Sequence, residues 1–292
     1  MNLIKSISCL GAGLVPLTAA QAETKPNVVI IYIDDMGIGD IGCYGGKFVP
    51  TPHIDKLAQD GLLFRQYYSA APVSSASRCG LLTGMFPIRH HINTFLSKRA
   101  YNRRREQRDF LDDGAPSMAR AFQQAGYATA HIGKWHLGGG RDVDNAPSIN
   151  DYGFDEYIST YESPDPDPAL TASEWIWCDN DSVKRWKRTE YFVDRSIEFV
   201  KRHTDEPFFL NLWPDDMHTP WVPEGKQKKK KEWKSEETFI PVLAEMDKQI
   251  GRFINALDEL GLSENTIVIF TSDNGPDPSF ESARSAYLRG TK

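Results

Sequence analysis

The 292-residue chain has only four cysteines, too few for a disulfide scaffold of its size. It has no basic excess: 34 Lys and Arg stand against 40 Asp and Glu, a formal charge of −6. No global positive field is available to hold a polyanion, so nucleic acid is not an expected partner. Beyond its first residues it has no apolar segment long enough for a membrane span. No internal repeat is present, and 22 glycines with 18 prolines suit a loop-rich globular protein rather than a fibre. What the chain does have is 11% aromatic residues, which argues against disorder although the apolar fraction, 40%, is slightly low. Its length gives one large domain or two smaller ones, with enough chain for a sizeable core.

The first 22 residues read MNLIKSISCLGAGLVPLTAAQA. Lys5 precedes an apolar stretch from Ile7 to Leu17, and Ala20-Gln21-Ala22 supplies a small-x-small pattern. This reads as a secretory signal peptide over 1–22, cleaved after Ala22, and predicts a periplasmic or secreted protein. The stretch is short for a membrane anchor and contains Pro16, and Cys9 comes too early in it for a lipoprotein site. Cys43, Cys79 and Cys178 remain, an odd number that leaves at least one thiol unpaired.

The rest, 23–292, reads as alternating strands and helices. Asn27–Ile33 is a continuous β-branched run, expected of a strand buried on both faces. A helix opens at Thr51-Pro52, with Ile54, Leu57, Ala58 and Leu62 on one face. Further helices are expected over Pro116–Ala125, Glu190–Arg202 and Phe239–Leu260, and strands over Tyr127–Ile132, Phe208–Trp213 and Thr266–Thr271, the last also read as buried. The alternation predicts an α/β fold, a mostly parallel mixed sheet flanked by helices. Residues 139–188, rich in Asp, Pro and Trp, read as an irregular excursion over the sheet. Lys226–Lys231 reads as a solvated loop, with contact to a polyanionic substrate as the sharper alternative.

Polar residues cluster where the strands end. Asp34-Asp35 follow the first strand, Lys134 and His136 the second, Asp215, Asp216 and His218 the third, and Asp273-Asn274 the last. Ligands of open α/β sheets bind beyond the carboxyl ends of the strands. Asp34, Asp35, Asp273 and Asn274 are oxygen donors without a zinc-spaced Cys/His pair, a set suited to Ca²⁺ or Mg²⁺. A divalent cation beside Lys134, His136 and His218 suits a tetrahedral oxyanion ester, phosphate or sulfate.

The stretch Ser74–Gly84, SSASRCGLLTG, resembles the signature of the sulfatases of the alkaline phosphatase superfamily: Cys or Ser, then x-(Pro/Ala)-Ser-Arg, running on to Leu-Thr-Gly. IDDMG at 33–37, TPHIDKLAQDGLLF at 51–64, GKWHLG at 133–138, HTP at 218–220 and TSDNG at 271–275 resemble this family's other blocks, in its order. The resemblance implies oxidation of Ser74 to Cα-formylglycine by a radical-SAM maturation enzyme. The hydrated aldehyde is a geminal diol: one hydroxyl attacks sulfur, and the other expels sulfate and restores the aldehyde. Position by position, it implies that Asp34, Asp35, Asp273 and Asn274 hold the cation together with Ser74. Arg78 steadies the formylglycine end, with a structural ion pair as its alternative, Lys134 and His218 bind sulfate, His218 helps protonate the leaving alcohol, and His136 assists the diol. A helix starting near Ser77 aims its positive end at the anion.

Lys292 resembles the family lysine that binds sulfate, and its terminal place predicts fraying. Members usually continue into another strand and a smaller C-terminal subdomain, so 23–292 is expected to be the N-terminal catalytic domain, incomplete at its C-terminus. The implied substrate is a sulfate ester on a sulfated carbohydrate. A phosphate or phosphonate ester, or an inactive fragment that at most binds a sulfated ligand, are the alternatives. Among the remaining residues, Cys79 reads as helix packing and His53, His90 and His91 as non-catalytic. Trp175, Trp177 and Trp186 read as packing or a sugar platform, and Asp215 and Asp216 as possible contacts to substrate hydroxyls.

Overall fold

The computed structural model describes residues 25–170, 181–225, 234–278 and 282–292. The expected signal peptide, Trp175, Trp177, Cys178 and the Lys226–Lys231 run lie outside the described residues. Among the described residues the β-branched and aromatic runs form five strands: β1 (Asn27–Ile33), β2 (Ala128–Gly133), β3 (Glu156–Ser159), β4 (Phe208–Trp213) and β5 (Thr266–Ser272). Their order is β3-β2-β4-β1-β5, and every pairing is parallel. Parallel neighbours require long crossovers, which carry the helices α1 (Pro52–Asp60), α2 (Ser74–Thr83), α3 (Arg99–Arg104), α4 (Met118–Gln124), α5 (Arg188–Arg202) and α6 (Glu236–Glu259).

Period-two alternation splits the core between the two sheet faces. Val29, Ile31 and Ile33 of β1 and Leu210 and Leu212 of β4 pack against Phe192 and Phe199 of α5 and Leu243, Ile250 and Phe253 of α6. Val28, Ile30, Tyr32, Phe209 and Trp213 face the other way, onto Ala76, Cys79 and Leu82 of α2 and Ala119 of α4. Each such large side chain contributes roughly 1.5–3 kcal/mol by leaving water. Asp247 of α6 reaches across to α1 and accepts the backbone N–H groups of His53 (3.3 Å) and Ile54 (2.9 Å), satisfying donors that a helix start leaves open. No helix among the described residues is long and apolar enough to cross a membrane.

Three expectations need correction. The excursion over 139–188 contains a strand, β3, which extends the sheet beside β2. The strand β5 is an edge strand among the described residues, not a buried one: Ile267 and Ile269 are 49% and 43% exposed. The core on that face is built on β1 and β4 and does not extend over β5. The helix α1 stops at Asp60, before Gly61, so Leu62 lies beyond it and is exposed.

Candidate active site

The carboxyl ends of the strands converge as the polar clusters predict. Asp34 and Asp35 leave β1 with Asp34 N–H donating to Pro214 O (3.1 Å). Asp273 N–H donates to Ile33 O (3.0 Å), so the ends of β1 and β5 sit side by side. Lys134 follows Gly133, which has φ +126 and packs directly on the Trp213 carbonyl. A side chain at position 133 would meet that carbonyl and would also be strained in this left-handed conformation.

The helix α2 begins at Ser74, not near Ser77. Val73 is extended, and Ser77 N–H closes the first turn onto Val73 O (3.0 Å). Ser74 is therefore the first helical residue, at the positive end of the macrodipole. Its hydroxyl donates to Asp34 Oδ1 (2.9 Å) and lies 3.3 Å from Asn274 Oδ1. Asp34, Asp35 and Asp273 are fully buried, and one ligand oxygen from each lies within 4.8 Å of the others. Asn274 Nδ2 donates to Asp35 Oδ1 (2.7 Å). This cluster of oxygen donors could hold a hard metal ion.

Cations ring the carboxylates. Arg78 donates from Nη2 to Asp273 Oδ2 (2.9 Å) and Asp34 Oδ1 (3.3 Å), and from Nη1 to Lys134 O (3.0 Å). Its guanidinium stands 5.1 Å from the Trp213 ring and 5.5 Å from the Tyr32 ring. Lys134 Nζ is 2.8 Å from Asp34 Oδ2, and Lys292 Nζ is 2.8 Å from both Asp35 Oδ2 and His218 Nε2. Burial works to raise the Asp34 pKa, but Lys134, then His218, Arg78 and Lys292, outweigh it and hold the carboxyl well below its usual range. Burial, with Asp34 and Asp35 close by, pushes Asp273 up to about 7 against the pull of Arg78. Such crowding of like charge favours a cation between the carboxylates.

Several candidates have partners other than those expected. Arg78 takes its alternative role, an ion pair with Asp34 and Asp273, and makes no hydrogen bond to Ser74. His136 places its Nε2 3.1 Å from Leu96 O and its Nδ1 3.3 Å from Glu162 Oε2. Burial drives its pKa down to about 3, against Glu162. Lys292 is held rather than frayed, since its N–H also donates to Pro276 O (3.0 Å). Asp215 Oδ2 accepts from Arg185 (2.5 Å) and Arg188 (2.6 Å), and Asp216 Oδ2 accepts from Thr189 Oγ1 (2.6 Å), so internal partners hold one oxygen of each carboxylate. Cys79 is buried, and His53 and His91 are exposed.

Two participants escape sequence reasoning. Glu162 is buried between Arg141 (2.6 Å), His136 and Lys134 (3.8 Å). It lies in the irregular excursion, where nothing local distinguishes it from other acids. Arg284 is fully buried, pairs with Asp40 through Nε (2.9 Å) and Nη2 (2.7 Å), and donates to Asp35 O (3.0 Å). Trp221 and Phe239 flank it at 5.1 and 4.4 Å.

Known proteins resemble this chain in sequence and in fold. The chain is 32% identical to an N-acetylgalactosamine-6-O-sulfatase of Bacteroides thetaiotaomicron, over 88% of this chain and 60% of that one. It is 32% identical to the N-acetylgalactosamine-6-sulfatase of Rattus norvegicus, over 94% of this chain and 53% of the relative. A solved structure from work on glycosaminoglycan metabolism by Bacteroides thetaiotaomicron superposes with a TM-score of 0.69 at 30% identity, covering 87% of this chain and 63% of that one. The chain thus spans a little over half the length of these curated relatives. The family model described as Sulfatase matches residues 26–292, a range that takes in every strand end of the site. With the signature at the start of α2 and the carboxylates facing it, this match shows that the chain belongs to the sulfatase family.

Proposed function

We propose that this chain carries the catalytic part of a sulfuric-ester hydrolase acting on a sulfated glycan. It uses formylglycine matured from Ser74 and a divalent cation, Ca²⁺ or Mg²⁺, held by Asp34, Asp35, Asp273 and Asn274. The observation that carries this reading is the place of Ser74: first residue of α2, with its hydroxyl 2.9 Å from Asp34 and 3.3 Å from Asn274. The donor set fits a hard ion, being three carboxylates and an amide oxygen with no thiol or imidazole. When bound, the cation neutralises ester oxygens and acidifies the side chain of the matured residue 74. That side chain, as a hydrated aldehyde, offers one hydroxyl to attack sulfur and a second to expel sulfate.

The chain's own groups do the rest. Lys134 and Lys292 bind ester oxygens, and the α2 terminus adds its positive end. His218, 2.8 Å from Lys292 Nζ, is placed to protonate the leaving oxygen. Arg78 positions Asp34 and Asp273, and His136 positions Lys134 through Glu162. Because the named relatives are N-acetylgalactosamine 6-sulfatases, a 6-sulfated N-acetylgalactosamine is the first substrate to assay. Export through residues 1–22 and maturation by a radical-SAM enzyme complete the proposal.

The test is coexpression with a serine-competent maturation enzyme. Peptide mass spectrometry over residues 74–78 should show formylglycine at position 74. Turnover of a sulfate ester should exceed that of the phosphate ester of the same alcohol. An unmodified Ser74, or undiminished turnover by Ser74→Ala, overturns the reading.

A further inference from the structure

Next to the site lies a charged strip for which the proposed chemistry has no use. Between positions 98 and 108, six cations (Lys98, Arg99, Arg103, Arg104, Arg105 and Arg108) accompany one anion, Glu106, in a chain whose net charge is −6. Two of the six are neutralised: Arg99 by Asp109 and Asp144, and Arg108 by Asp112. Lys98, Arg103, Arg104 and Arg105 have no carboxylate partner among the described residues. Lys98, Arg103 and Arg104 are exposed. We propose that these four cations form a binding surface for anionic groups of a polymeric sulfated glycan, beyond the ester being cleaved.

Three further observations support this. First, the strip starts at the wall of the site. Leu96 N–H donates to Ser75 Oγ (2.9 Å), one residue from Ser74, and Leu96 O is 3.1 Å from His136 Nε2. Lys98 is two residues on, at most about 7 Å of backbone away. Second, the strip is braced from beneath. The buried Asn102 side chain bonds Ser97 N–H (2.9 Å), Ser97 O (2.9 Å) and Asp109 (2.8 Å), while Gln107 bonds Thr94 N–H (3.1 Å) and Phe95 O (3.0 Å). Third, aromatic rings orient the guanidinium groups. Arg104 lies 4.4 Å from the Tyr101 ring, and Arg105 lies 4.2 Å from Phe95 and 5.0 Å from Tyr101. Stacking fixes the guanidinium planes; the exposed Arg104 keeps N–H edges for oxyanions, while Arg105 is half-buried with its Nη1 covered. The six residues of α3 extend about 9 Å, a span suited to anions repeated along a chain rather than to one ester. The inference rests on the proposed desulfation only for the kind of polyanion, not for the existence of the surface.

The test compares the full chain with the triple variant Lys98→Gln/Arg103→Gln/Arg104→Gln. Titration calorimetry with a chondroitin 6-sulfate hexasaccharide should show binding at least about tenfold weaker in the variant, with a smaller dependence on salt. Melting temperature and turnover of 4-nitrocatechol sulfate should not change. An unchanged hexasaccharide Kd overturns the proposal, as does an equal loss on the aryl sulfate. Loss of binding to phosphatidylserine vesicles with hexasaccharide binding intact overturns it in favour of a lipid surface. Because binding is read without turnover, a chain that hydrolyses no sulfate ester but shows the tenfold loss keeps the surface and overturns only the activity.

Discussion

Arg284, like Lys292, ties the segment after β5 to the metal-type cluster. Its guanidinium is shared between Asp40 and the carbonyl of Asp35, and it is flanked by two aromatic rings. Asp35 itself sits at φ +57, a conformation the surroundings must impose. Removing one partner of a buried ion pair leaves the other uncompensated, at a cost of about 3–5 kcal/mol. Arg284→Met is therefore expected to lower stability by that order in urea unfolding, and Arg284→Met/Asp40→Asn should recover part of it. Equal stability of Arg284→Met and the parent chain would show the pair to be dispensable. The strand-end residues were legible because each breaks an apolar run where the run stops. Arg284 was not, because its partner Asp40 lies 244 positions away and neither position has a local pattern. Glu162 was missed for the same reason: its meaning comes from Arg141, His136 and Lys134 folding around it.

At the scale of elements, β1, β2 and β4 could be read directly, since buried parallel strands are continuous apolar runs. The same rule misplaced β5. TIVIFT is as apolar as the β1 run, and the run itself does not say whether a neighbour will cover it. The four-residue β3 begins with Glu156 inside an Asp- and Pro-rich stretch, so it lacked any signal of its own. The edge position of β5 has a consequence. Ile267 and Ile269 project from a strand paired on one side only, with β1, among the described residues. Such an edge is a template for pairing with another chain. Ile267→Lys/Ile269→Lys should reduce self-association in sedimentation and light-scattering measurements, and should shift stability by no more than about 1 kcal/mol. Unchanged association would mean that the edge is not the contact.

For the molecule as a whole, acid stability should fall in two stages. His131 lies among Trp135, Phe154 and Trp213, and burial first, then Arg78, drives its pKa down to about 3. His136 is lowered to about 3 as well, chiefly by burial. Below pH 6.5 the unfolded chain takes up protons at these positions that the folded chain refuses, so stability falls as pH drops from about 6.5 toward 3. Glu162 adds a later stage. Burial opposes its ionisation, but His136, Lys134 and Arg141 hold it at about 2, so its contribution is present above its ordinary value of 4.5 and is lost as pH falls toward 2. Urea unfolding between pH 7.5 and 5 should therefore be shallower in pH for His131→Phe, by about 1.4 kcal/mol per pH unit at most. Parallel curves for variant and parent would remove His131 from this account.

The pairing of β1 with β5 also sets an order in time. Asp34 and Asp35 are made early, but the strand that brings Asp273 and Asn274 beside them comes after the other four described strands. The cluster gains its third carboxylate only after β2, β3 and β4 have been made, so a cation that the cluster suits could be captured only from that point on. Until then β1 must wait for its outer neighbour, and a contact this distant in sequence closes slowly. Assembly of the site thus certifies that the first strand has met its outer neighbour.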